Sequence, residues 1–295
     1  MRRAVLILAL LAAFPLTARA AKPEGPVDAV GMLDFKKGRF NVGDWVRYRT
    51  VGSSMQGYRT DYTVTVLIAG EELWWGEECF WVETQTAYAG AKDPEITASL
   101  ISFSVFEDSL ASRRFSRYLR KYFDGVDAEG RWIQAPFQRA AAEVTNRNFE
   151  EFDPVRKVDT LGVESVTVPK GVFQGLKVRE FFKEYTNRVA GDSTVYFELT
   201  EDHVTWWSKD VPITSLVKQT QENTQRRRTW LLGNPETVPM NVVELATGGT
   251  ELLDFGTGMK SHAIAEKFQR PLREQRATQQ PKRPPAAKRP PGKRG

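Results

Sequence analysis

Between Thr160 and Asn223 the chain reverses direction every few residues, and that limits its possible folds more than any other feature. Val163–Val168 is rich in β-branched residues and runs into Pro169-Lys170-Gly171, a tight-turn sequence. Gly175–Tyr185 supplies a partner strand, and Asn187–Asp192 turns again. Val195-Tyr196-Phe197-Glu198-Leu199 follows as a strand, and Thr200-Glu201-Asp202 reads as a further turn. His203–Ser208 and Ile213–Gln219 are the next two strands. Strands joined this closely pair antiparallel, because a parallel pair needs a crossover of a dozen or more residues.

The same texture extends to both sides. Trp45-Val46-Arg47-Tyr48-Arg49 alternates large apolar and basic residues, as a half-buried strand does. Tyr62–Ile68, Phe80–Tyr88, Leu100–Phe106, Trp230–Gly233 and Val242–Phe255 complete the strand set. Residues 108–123 fit helical and strand spacing alike, and Asp124–Gly130 reads as a turn. Pro136 opens a helix through Phe149, at a first-turn position where its missing N–H costs nothing. The expected fold is mainly β with a few helices: a curled antiparallel meander, a half-barrel with one or two packing helices. It fills a single domain, residues 44–260.

The ends differ from this body. Met1-Arg2-Arg3, an apolar run from Ala4 to Leu16 and the small-x-small site Ala18-Arg19-Ala20 form a secretory signal, residues 1–20, with cleavage after Ala20. That predicts a periplasmic or secreted protein with no transmembrane segment once the signal is removed. The single cysteine, Cys79, is not at the cut, so no lipid anchor of the bacterial lipoprotein kind is expected. Residues 21–43 form a leader, with Met32-Leu33-Asp34-Phe35 as a docking segment. Residues 261–295 form a basic, Pro-rich tail, expected to be mostly disordered: His262–Arg276 admits a helix, and the chain after Gln279 has polyproline character. The signal contributes +3 and residues 261–295 contribute +8, which leaves −6 of the net +5 for residues 21–260. A mildly acidic globule with a basic tail is not the charge pattern of a nucleic-acid binder. Lys282, Arg283, Lys288, Arg289, Lys293 and Arg294 are instead candidates for contact with an anionic envelope surface, or form a solubilising tail.

The inventory of reactive groups is thin. Cys79 lies in the apolar run Cys79-Phe80-Trp81-Val82 and reads as a buried, inert thiol. His203 and His262 have no neighbour at metal-ligand spacing. Gly256-Thr257-Gly258-Met259-Lys260-Ser261 lacks the register of a phosphate loop, and Asp127-x-Glu129-Gly130 lacks the ligand set of a calcium loop. Arg113–Lys121 interleaves aromatic and basic residues, as a surface element docked on the sheet does, or one that lies on an anionic membrane face. No catalytic residue, cofactor or metal is expected, and the chain reads as a non-enzyme.

Glu164-Ser165-Val166-Thr167-Val168-Pro169-Lys170-Gly171-Val172-Phe173 and Trp206-Trp207-Ser208-Lys209-Asp210-Val211-Pro212-Ile213-Thr214-Ser215-Leu216-Val217-Lys218 carry a resemblance. Their wording, with Asp44-Trp45-Val46-Arg47-Tyr48 as a first strand, is similar to that of exported proteins of the lipoprotein-carrier (LolA/LolB-like) half-barrel family. The tail and the longer mature domain depart from those carriers. The resemblance implies a sheet curled around helices, with an apolar concave face that receives acyl chains. Val195, Phe197 and Leu199 share one strand face, with Phe182 and Trp206 as neighbours; these five are the candidate ligand-binding residues, lining a cavity or packing as dry core. Two functions follow as expectations: a non-enzymatic envelope protein that binds a lipid or other apolar ligand, or a scaffold held at an anionic surface by its tail.

Overall fold

The computed structural model describes residues 40–107, 117–126, 129–134, 155–190, 193–230 and 238–279. The signal, most of the leader, the helix predicted at 136–149 and the tail cations from Lys282 to Arg294 lie outside the described residues. Eleven strands form one sheet: β1 (Trp45–Ser54), β2 (Arg59–Trp74), β3 (Glu77–Tyr88), β4 (Glu95–Ser102), β5 (Leu119–Val126), β6 (Glu129–Gln134), β7 (Val155–Val168), β8 (Gly171–Ala190), β9 (Ser193–Trp207), β10 (Leu216–Trp230) and β11 (Asn241–Gly256). Their order is β6-β5-β4-β3-β2-β1-β11-β10-β9-β8-β7, and the neighbouring pairs are antiparallel. Two meanders, β1–β6 and β7–β11, are thus joined where the first strand pairs with the last. β6 and β7 are the free edges, so the sheet is an open, curled meander and not a closed barrel.

The curl is visible at the β7–β8 turn. Lys170 forms an ion pair with Asp254 on β11, three strands away in the sheet order. The rings of Phe173 and Phe255 meet there at 6.4 Å. Val166 and Val168, the only buried residues of β7, tuck under the same corner.

Several local readings need correction. β8 runs on through Asn187 to Ala190, where a turn is predicted, and β10 continues past Gln219 to Trp230. β4 ends at Ser102 and a 3-10 turn takes Phe103–Glu107, so the strand predicted to reach Phe106 lies earlier. β9 runs unbroken through Thr200-Glu201-Asp202. Asp202 is held by Arg179 across the strands, and that partnership overrides the turn propensity of the triplet. β10 starts at Leu216; Ile213 sits before it with φ of 65° and is fully buried. That unfavourable backbone is fixed by its surroundings. Ser208 N–H donates to the Ser215 carbonyl at 2.8 Å, and the Tyr48 hydroxyl donates to the Leu216 carbonyl at 2.9 Å.

The core sits on both faces of β2–β4. Val66, Ile68, Phe80 and Val82 join Tyr48, Val211 and Ile213 on one side. Leu67, Ala69, Trp81 and Leu100 join Ile264 on the other. Successive strand residues point to opposite faces, so Val66–Ala69 is an unbroken apolar run because both directions are buried. Burying each of these side chains contributes about 1.5–3 kcal/mol.

The structured chain continues past Lys260. Glu83 is fully buried and its carboxylate accepts from the Ser261 hydroxyl and from the N–H groups of His262 and Ala263 at 3.2 and 3.1 Å. Gly70 lets this segment approach β2: a Cβ there would stand 2.1 Å from the Phe268 carbonyl oxygen. Helix α1 (Leu272–Gln279) follows, its first N–H donating to Glu71 at 2.7 Å.

Candidate functional site

In an antiparallel sheet, directly opposed residues share a face. Phe182 opposes Glu201, Leu199 opposes Glu184 and Phe197 opposes Thr186, so Phe182, Val195, Phe197 and Leu199 lie together on one face, each half-buried. Trp206 does not join them. It is seven residues from Leu199 on a strand paired without a register shift to β8, which puts it on the reverse face. There it opposes Lys177 and Lys218, and its indole N–H donates to Glu164 at 2.7 Å. Trp206 covers Gly175 and Val166 and belongs to the packed corner under the β7–β8 turn.

The face that carries Phe182 is apolar at its two ends. At the β7–β8 corner Val163 opposes Leu176, and they are 67% and 40% exposed. Val158 and Val172 on the same face are exposed as well. Phe182, Leu199, Phe197 and Val195 form the other apolar end.

A polar belt crosses the middle. One row runs Ser54, Ala246, Asn223, Glu201, from β1 to β9. The next runs Gly52, Gly248, Gln221, His203, Glu180. Gln225 and Glu244 oppose each other beside them. Ser54 Oγ, Asn223 Oδ1 and His203 Nε2 are buried, and among the described residues none has a hydrogen-bond partner. Each such atom costs about 1–3 kcal/mol if nothing satisfies it. Asn223 and Glu244 are more than nine-tenths buried, and burial raises the Glu244 carboxyl above the usual carboxylate range. The two glycines and Ala246 lower the floor along β1 and β11.

The reverse face is different in kind. Arg179 pairs with Asp202, and Lys183 and Arg226 bracket Glu198 at 3.0 and 3.2 Å. The Arg179 guanidinium holds the Asp202 carboxyl below its ordinary value. These charges are matched in place and read as cross-strand support. A polar cleft of about 1130 Å³ lies near Phe40 and α1, lined by Glu71, Glu78, Arg270, Arg273 and Arg276. Glu71 accepts from the Leu272 N–H, and Glu78 is paired with Arg276. Among the described residues no three of His, Cys, Asp and Glu gather to hold a metal, and no helix is long and apolar enough to cross a membrane. Cys79 is buried; burial first, then the neighbouring Glu77 carboxylate, pushes its thiol up to about 12.

Reading the sequence alone misses the polar belt. Its signal is present: Glu201 and His203 continue the odd-numbered phase of Val195, Phe197 and Leu199, but only once residues 200–202 are read as strand.

No family model and no curated protein matches the chain. Among solved structures it is similar, at 12% identity, to a candidate lipoprotein from Parabacteroides distasonis, covering 74% of this chain and 98% of that one with a TM-score of 0.32. A candidate exported protein with YmcC-like fold from Bacteroides fragilis is similar at 12% identity, covering 74% and 97%, with a TM-score of 0.30. Likeness this distant carries no argument about function, and membership of the lipoprotein-carrier family is not established for this chain.

Proposed function

We propose that this protein is a non-catalytic, exported binding protein that holds an apolar chain, such as an acyl group, against the open face of β7–β9. The observation that carries the reading is the exposed apolar corner of Val163, Val172 and Leu176, on the same face as Phe182, Phe197 and Leu199. Contiguous exposed apolar surface of this kind marks binding sites in soluble proteins. Each methylene laid against it gains roughly 0.8 kcal/mol, so a dodecyl chain gains about 5 kcal/mol when half-covered and about 10 kcal/mol when fully covered, before the cost of association. The export signal and the wording shared with the carriers support the same reading.

Native mass spectrometry of protein purified from membranes tests it, with uptake of a fluorescent fatty acid as the second readout. Co-purified lipid, and at least tenfold weaker probe binding in Leu176→Asp, is the expected result. Consistently ligand-free protein with no probe uptake refutes it.

The basic tail supports a second role, attachment to anionic envelope surfaces. Residues 261–295 carry ten Lys and Arg against two Glu. Deleting residues 280–295 should abolish salt-sensitive binding to anionic liposomes; unchanged binding rejects this role.

A further inference from the structure

We infer that the polar belt between the two apolar ends is a subsite for an uncharged, hydroxyl-rich group of the size of one or two sugar rings. Three buried polar atoms without partners among the described residues, Ser54 Oγ, Asn223 Oδ1 and His203 Nε2, fall on adjoining rows of one face. Folded proteins pair nearly all such atoms, so a cluster of them points to a ligand or ordered water that completes the set. The belt's shape agrees. Ser54 and Glu201 stand three strand spacings apart, roughly 14 Å, and the floor between them is made of Ala246, with Gly248 and Gly52 alongside.

The chemistry of the set selects the ligand. Asn223 Oδ1 only accepts, Ser54 Oγ both donates and accepts, and the imidazole nitrogen does either according to tautomer. Glu201 and Glu244 add acceptors. A group matching this mixture must donate and accept at several points, as a polyol does. Phosphate or sulfate is disfavoured by Glu180, Glu201 and Glu244. Arg156, opposite Phe182, is already matched by Glu180, and Arg227 opposes Phe197 at the far apolar end. The source of the hydroxyl-rich group is either the head of a glycolipid, which rests on the apolar-chain reading above, or a free saccharide, which does not.

Isothermal titration of the mature full chain with dodecyl maltoside below its micellar concentration, dodecanoate and free maltose separates these. Dodecyl maltoside should bind at least tenfold tighter than dodecanoate. Asn223→Leu, branched like the native side chain but without its polar atoms, should erase that preference while leaving dodecanoate affinity within twofold. Ser54→Ala, expected to lose several-fold for the maltoside, serves if Asn223→Leu fails to fold. Equal affinity for the two dodecyl probes, or a maltoside affinity untouched by both variants, overturns the subsite and leaves the apolar-chain reading standing. Binding of maltose but of neither dodecyl probe, lost in the variants, supports the subsite and refutes the apolar-chain reading. Binding of none of the three refutes both.

Discussion

Glu83→Gln should release the C-terminal segment from the sheet without unfolding the sheet itself. The native carboxylate is fully buried and acceptor-only. It receives the Ser261 hydroxyl, the N–H groups of His262 and Ala263, and the Gln85 side-chain amide at 2.8 Å. A glutamine keeps one acceptor oxygen and turns its NH₂ toward the remaining donors. Hydrogen bonds to a charged group are worth about 1.5–3 kcal/mol each, so losing two costs about 3–6 kcal/mol. At about 1.4 kcal/mol per decade, opening of Ser261–Gln279 should become roughly 10²- to 10⁴-fold more frequent. Hydrogen exchange across Ile264 and Leu272, with limited trypsin cleavage at Lys267 and Arg273, reads this directly. Glu78→Gln is the control, because Glu78 and its partner Arg276 are both more than half exposed. It should change opening less than threefold. Protection of Ile264 unchanged in Glu83→Gln, with cleavage within threefold of wild type, would refute the reasoning and place the hold in the apolar contacts of Ile264, Phe268 and Leu272.

Tyr48→Phe strands the Leu216 carbonyl and Thr214 in a dry corner and should cost about 1–3 kcal/mol in urea unfolding; an unchanged midpoint would contradict it. Cys79, with its thiol pushed up to about 12, should react with a disulfide reagent at pH 8 at least about 10³-fold more slowly in native than in unfolded protein. Asp202 and Asp254 are held below their ordinary values by hydrogen bonds from Arg179 and Lys170. A depressed folded value gives stability that is present above about pH 4 and lost as pH falls through the folded values. Asp202→Asn should therefore flatten the loss of stability between pH 5 and 3, and an unaltered slope would exclude this pair as a contributor. Gly70→Ala drives a methyl into the Phe268 carbonyl and should loosen the same segment as Glu83→Gln, a match that hydrogen exchange can check.

The fold class was legible because β-branched and aromatic runs separated by turn residues admit few alternatives, and the β7–β8 turn at Pro169-Lys170-Gly171 lies where its residues demand it. Strand lengths were less legible. Glu201 and Asp202 have turn-forming chemistry in isolation, and only cross-strand partners keep them extended. Pairing order was not legible at all, since nothing local in Trp45–Ser54 announces that it will lie beside residues two hundred positions later. For the site, the phase of Val195, Phe197 and Leu199 was correct and captured the apolar end. Trp206 was grouped with them by its bulk, while strand parity, which decides the face, sets it on the other side. The polar belt draws Ser54, Asn223, His203 and Glu244 from four strands, so only the assembled sheet brings them together.

The seam between β1 and β11 also sets a timetable. A ribosome finishes Trp45–Ser54 long before Asn241–Gly256, and until the latter exists β1 has one neighbour and β10 has one neighbour. Each meander can begin locally, but the joint between them waits for nearly the whole chain, a contact of long sequence separation and therefore slow to form. A nascent or nicked chain that stops short of Asn241 carries two additional raw strand edges, which are the places where sheet proteins recruit wrong partners. The order of the strands thus assigns quality control to the far end of the polypeptide: the protein is protected from its own edges only after its last strand has arrived.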